Sequence, residues 1–187
     1  GSRTSEPALA SRWEVSPDGL RYSFHLRPGV KFHDGTPVDA DAVRFTFERM
    51  LNKQHPYYHT GPFPLSFFFS SIRKIDTPDA HTVIFTLDKP FAPLLSNLAT
   101  PTGLIVSPTA VKKYDRDFGR HPVGSGAFRF GDWRANQRVL LNANAAYWDG
   151  VPKLKAAVFR PITDGSTRTA GMLSGGLDVM VEVPPDT

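Results

Sequence analysis

The sequence predicts an α/β fold, a mixed sheet with flanking helices and β-hairpins, and three patterns carry that expectation. In residues 20–27, Leu20, Tyr22, Phe24 and Leu26 alternate with Arg21, Ser23, His25 and Arg27, the period of a half-buried strand. Ala40, Val43, Phe47, Met50 and Leu51 recur at three- and four-residue spacing, which places them on one face of a helix. Ala127 to Trp133 is a strand-like run released by a glycine-rich turn, Gly124-Ser125-Gly126. The polar Ala135-Asn136-Gln137 returns it as Val139-Leu140-Leu141, which makes a β-hairpin.

In chain order, Pro7 to Val15 leads into Ser16-Pro17-Asp18-Gly19, a turn in which proline presets φ and glycine accepts a positive one. Two further turns, Pro28-Gly29 and Asp34-Gly35, bracket Val30 and Phe32. Asp39 can cap the helix that runs to about Asn52, with Asp41 opposing the positive end of its dipole. Arg44, Glu48 and Arg49 can stay wet on its far side, whereas Phe45 lies off the apolar stripe and calls for a second buried contact. Residues 53–71 read as loop because prolines and glycine interrupt them, and the aromatics there need burial or a ligand.

Ser71 to Asp76 and Thr82 to Leu87 flank a turn at Thr77-Pro78-Asp79-Ala80 and form a second hairpin. A short helix is expected over Phe91 to Leu98, then a short buried strand at Leu104-Ile105-Val106. Ser107 can cap a further helix that starts at Pro108 and runs through Val111 and Tyr114. Ala156 to Pro161 and Leu177 to Val183 read as apolar strands, separated by a helix over Ser166 to Leu173 that Gly175-Gly176 stops.

The 187 residues are 40% hydrophobic, enough for a real core, and include no cysteine, so neither a disulfide framework nor a thiolate metal site is available. No apolar run approaches the roughly 20 residues that a membrane helix needs. The net charge is +4, but Lys and Arg are scattered among carboxylates without a basic run, so no nucleic-acid partner is expected. Gly124-Ser125-Gly126 has neither the spacing of a nucleophile elbow nor the Gly-Lys-Ser/Thr of a phosphate loop. Six histidines show no metal-ligand spacing; His55 and His59 are four apart, but Pro56 argues against a helix presenting them together. Asp34 beside His33 reads as a surface turn rather than an acid–base pair. No enzyme, no cofactor and no metal is expected.

Three blocks carry a family resemblance. The first is Trp13, Asp18, Gly19, Phe24, Leu26, Arg27, Phe32, Asp34, Gly35 and Pro37, followed by Asp41-Ala42-Val43 in the helix. The second is Gly124-Ser125-Gly126, Trp133, Asn144, Tyr147, Trp148, Asp149, Gly150, Pro152 and Lys153. The third is Phe159, Arg160, Ile162, Asp164, Arg168, Gly175, Asp178, Val179 and Val183. Together they resemble the family 5 extracellular solute-binding proteins, the dipeptide- and oligopeptide-binding components of ABC importers.

The resemblance implies part of lobe one of a periplasmic-binding-protein type II fold, since members of the family are much longer. It implies a fragment: 1–2 a cloning scar, 3–110 an αβ subdomain of lobe one, 111–183 part of its sheet-forming core, and 184–187 the start of a crossover to lobe two. The function implied is capture of a peptide or similar small solute for delivery to an ABC permease, in a periplasmic or extracellular, membrane-anchored setting whose signal peptide lies outside this sequence. A sensor or interaction module reusing the fold in signalling is the alternative. Ligand-lining positions carried over are Tyr57 and Tyr58, after the first helix, and Gly124, Ser125 and Gly126, near the lobe junction; serine replaces the family's threonine at 125. Phe68 joins them as an aromatic of the loop. Because neighbours of the two C-terminal strands would be missing, exposed edges and self-association are also expected.

Overall fold

In the computed structural model, which describes residues 5–181, two antiparallel sheets are arranged in chain order with four α-helices. The first sheet holds β1 (Ala10–Val15), β2 (Arg21–Leu26), β3 (Ile72–Asp79) and β4 (Thr82–Leu87), in the order β1-β2-β4-β3. Its register sets Tyr22 opposite Val15 and Phe85, and Phe24 opposite Trp13 and Val83. The alternation read from the sequence therefore becomes one buried face, with Tyr22, Leu26, Val83, Phe85 and Leu87 in the core.

Helix α1 (Ala40–Leu51) covers that face. Its start is fixed by Asp39, whose side chain accepts from the Ala42 amide at 2.8 Å, while Asp41 in the first turn pairs with Arg44 at 3.0 Å. Val43, Phe47 and Met50 enter the core, and the Phe47 ring meets Phe69 at 5.1 Å and Phe85 at 5.0 Å, both edge to face. Phe45 finds the second contact its position demanded. It packs on a separate cluster of Ala110, Val111 and Phe118, formed by α3 (Pro108–Tyr114) and the turn after it. A third cluster, Val30, Phe32, Val38 and Ala42, closes the turns between β2 and α1. The short helix α2 (Leu94–Leu98) adds Leu94 to the main core.

The second sheet is β5 (Phe128–Arg134), β6 (Arg138–Ala143) and β7 (Ala156–Phe159), followed by α4 (Gly165–Leu173). Gly131 marks the irregular register between Phe130 and Asp132: a Cβ there would sit 2.6 Å from Asn142 Nδ2 and 3.1 Å from the Leu140 carbonyl oxygen. Asp164 caps α4 by accepting from Thr167 N at 2.7 Å. No residue of these three strands or of α4 is buried.

Several expectations are corrected. Leu104-Ile105-Val106 is extended but forms no strand, and Leu104 is 68% exposed. Val106 is served instead by the buried Thr46 hydroxyl, which accepts from its amide at 3.3 Å and lies 3.5 Å from its carbonyl oxygen, so no neighbouring strand is needed. Leu177 to Val181 also forms no strand, and Val179 and Val181 are 78% and 79% exposed, while the last two residues of that expected strand lie outside the described residues. Every strand pairing found among the described residues is antiparallel. β3 runs through Pro78 to Asp79, with an irregular register after Asp76, so the hairpin turn lies at Ala80-His81. Arg49 is not wet but buried, for reasons that belong to the loop it holds. The scar at 1–2 and the crossover at 184–187 lie outside the described residues.

Candidate functional site

The Gly124-Ser125-Gly126 turn is held from two directions. From the turns between β2 and α1, the His33 amide donates to the Gly124 carbonyl at 2.8 Å and the His33 ring Nε2 lies 2.9 Å from the Gly126 carbonyl oxygen. From the second sheet, Asn144, just after β6, donates Nδ2–H to the same Gly126 oxygen at 3.1 Å, while its own amide donates to Ala127 at 2.8 Å. Ser125 and Asn144 are both 8% exposed, whereas Gly126 is exposed and its bond with the His33 ring lies at the surface.

Asp34, next in sequence, points elsewhere. Its Oδ1 accepts from the Thr36 amide at 3.0 Å and the Thr36 hydroxyl at 2.6 Å, and its Oδ2 accepts from the Ser107 hydroxyl at 2.5 Å. The Ser107 oxygen in turn accepts from Ala110 N at 3.1 Å, which caps α3. Burial pushes the Asp34 carboxyl up, but the bonds from Ser107 and Thr36 outweigh it and hold the group below its ordinary range. Ser107 is fully buried and both of its roles are structural, so it is not a free nucleophile.

The aromatic candidates are spread along the loop after α1. Tyr57 is half-buried, with its ring 5.9 Å from Phe45, and packs on the Ala110, Val111, Phe118 cluster. Val123, the residue before the glycine turn, packs on the same cluster, so Tyr57 and that turn share a neighbourhood. Tyr58 faces Phe63 at 5.8 Å. Phe68 is half-buried against the main core, with Phe67 at 4.6 Å and its carbonyl accepting from Asn97 Nδ2 at 3.0 Å. Phe69 is fully buried, while Phe67 is 60% exposed. The six candidate ligand-lining residues are thus not gathered in one pocket.

Sequence reasoning missed the residue that orders this loop. Arg49 is 7% exposed, its guanidinium 5.1 Å from the Phe63 ring centre and 5.5 Å from that of Phe118, and it donates to the Thr60 hydroxyl at 3.0 Å. No carboxylate pairs with it among the described residues, and burial draws it below the ordinary arginine range. The available signal was a second stripe, Ala42, Thr46 and Arg49, at helical spacing beside the apolar one. His55 accepts from the Tyr57 amide through Nδ1 at 3.2 Å, and burial lowers its pKa, both of which favour the neutral ring. His59 turns away to Asp115, with Nε2 to Oδ1 at 2.5 Å. Among the described residues no group of three or more histidines and carboxylates could hold a metal ion.

Three concavities accompany these elements. A cavity of about 410 Å³ lies between α1 and α3, lined by Asp41, Arg44, Glu48 and Lys112. An apolar one of about 310 Å³ opens over the first sheet between Trp13, Phe24, Phe85, Leu98 and Ile105. The third, about 210 Å³, lies beside the glycine turn and is lined by His33, Asp34, Tyr114, His121, Arg129 and Phe130. In it the Tyr114 and His121 rings stack at 4.5 Å. Of the three, the one over the first sheet has the largely apolar walls that suit binding of a small solute.

The family described as "Bacterial extracellular solute-binding proteins, family 5 Middle" matches residues 4–187. The glutathione-binding protein GsiB of Pectobacterium atrosepticum is 36% identical over 177 residues, covering 94% of this chain and 33% of its own length. Among solved structures, HbpA2 from Haemophilus parasuis superposes with a TM-score of 0.88 at 32% identity, over 95% of this chain and 38% of that one. The periplasmic binding protein DppA from Helicobacter pylori, in complex with the peptide STSA, gives 0.84 at 35% identity, over 92% and 37%. The chain thus spans about a third of the length of the curated relatives it matches.

Proposed function

The chain belongs to the bacterial extracellular solute-binding proteins, family 5, and from that premise we propose that it is part of the solute-capturing component of an ABC importer. The observation that carries the reading is a match over residues 4–187, joined to the close superposition on a relative described in complex with a peptide. In a two-lobed binder, affinity comes from closure on the solute, with no bond made or broken. The solute class favoured is a peptide or peptide-like molecule, since relatives are named for glutathione and for a bound tetrapeptide. Nothing in the side-chain chemistry above calls for catalysis. The partner is a membrane permease, and the setting is periplasmic or extracellular.

Within this chain, Tyr57, Tyr58, Phe68 and the turn Gly124, Ser125, Gly126 are proposed to face the solute cleft. The uncovered face of the second sheet is proposed to draw a second copy of the isolated chain. Native mass spectrometry of the full-length protein purified from its own cell tests the main reading. A retained peptide-sized solute, released on denaturation, is expected; a protein that never carries or takes up glutathione or any short peptide would refute it.

A further inference from the structure

We propose that His33 is a positioning residue: through its amide and its ring it fixes the Gly124-Ser125-Gly126 turn against the turns between β2 and α1, with hydrogen on its ring Nε2. Two adjacent residues fasten different elements. Asp34 ties its turn to the start of α3 through Ser107, at 2.5 Å. His33 ties the same turn to the glycine segment at two carbonyls, those of Gly124 and Gly126, which bracket the buried Ser125. The Gly126 oxygen also accepts from Asn144, so both of its lone pairs are used, one by His33 and one by Asn144.

A carbonyl oxygen only accepts, so the His33 ring must carry hydrogen on Nε2. That hydrogen is present in both the neutral Nε2–H form and the charged form, so the bond survives protonation. A histidine is well suited here because its ring reaches a carbonyl while its own amide serves another two residues away. Glutamine keeps a donor at comparable reach, whereas alanine keeps only the amide. A surface-turn role would make the histidine replaceable; the paired bonds make the donor necessary. That the turn's placement matters to the solute rests on the proposed cleft.

The test uses the full-length protein with His33→Ala and His33→Gln. Hydrogen exchange followed by mass spectrometry reads the amides of residue 33, Ser107 and Asn144, which donate to Gly124, Val123 and Ala127. Loss of one of the two His33 bonds predicts exchange about tenfold faster at these amides in His33→Ala, with the β2 and β4 amides unchanged and the glutamine variant close to wild type. Unchanged exchange in the alanine variant, or equal acceleration in the glutamine variant, overturns the proposal whatever the solute. Calorimetric titration of the same proteins with glutathione forms the second arm. Weaker binding in alanine, restored in glutamine, is expected; faster exchange with unaltered glutathione binding would leave the positioning intact and overturn the placement of the turn in the cleft.

Discussion

Arg49 shows how far a side chain can depart from what its type suggests. Charged residues are rarely buried without a partner, yet here two aromatic faces and one hydroxyl hold the guanidinium, and helix α1 thereby pins the loop that carries Tyr57 and Tyr58. Arg49→Ala should cost about 2–4 kcal/mol in urea unfolding, as a large buried side chain is lost, whereas Arg49→Met, which keeps the volume, should cost less. An alanine variant as stable as wild type would show that the rings close without it. Asp34 makes a prediction in pH. Its folded pKa is depressed below the ordinary 3.8, so its contribution is present above that value and is lost as pH falls through the folded one. Asp34→Asn should therefore lower the urea midpoint at pH 7 and differ much less from wild type near pH 2. The helix caps Asp39 and Ser107 were legible because a cap is a local signal. Arg49 and the two-way role of His33 and Asp34 were not, because their partners lie far away in sequence.

The hairpins and α1 were legible for a similar reason, since alternation and helical spacing report which face is apolar. What periodicity does not report is whether a partner arrives. Leu104 to Val106 reads as a strand from its side chains, but Thr46 takes the backbone bonds of Val106 and the Leu104 amide donates to Pro101. β7 and α4 form as expected, yet Val158, Phe159 and Leu173 stay 52%, 60% and 86% exposed. Beyond α4, Val179 and Val181 add to the apolar surface. Such an edge and face recruit another chain. The isolated 187-residue chain should associate with concentration in light scattering, and Val179→Lys with Val181→Lys should reduce it. Strict monomers at high micromolar concentration, with β7 protected from exchange, would mean that the chain closes its own sheet.

The molecule as a whole is two sheets joined through side chains. Arg27 lies over the Trp148 ring at 4.8 Å, Trp148 packs on the Val30, Phe32, Val38 cluster, and His33 meets the glycine turn. We propose a division near residue 110, with 3–110 as an αβ subdomain and 111–183 as part of a sheet-forming core; helix α3 (Pro108–Tyr114) crosses that boundary and packs against Phe45 of α1. Limited proteolysis should therefore cut first in exposed connections such as Gly150 to Leu154, where Val151 and Leu154 are 65% and 64% exposed. A first cut inside Val43 to Met50 would contradict it.

The function proposed requires that both lobes of a longer protein hold the solute, and one comparison tests that most directly. The solute released from the purified full-length protein is titrated by calorimetry into that protein and into the 187-residue chain. Because closure buries most of a solute's surface, the chain should bind at least about 100-fold more weakly, a difference of roughly 2.8 kcal/mol. Comparable affinities would contradict the two-lobed account.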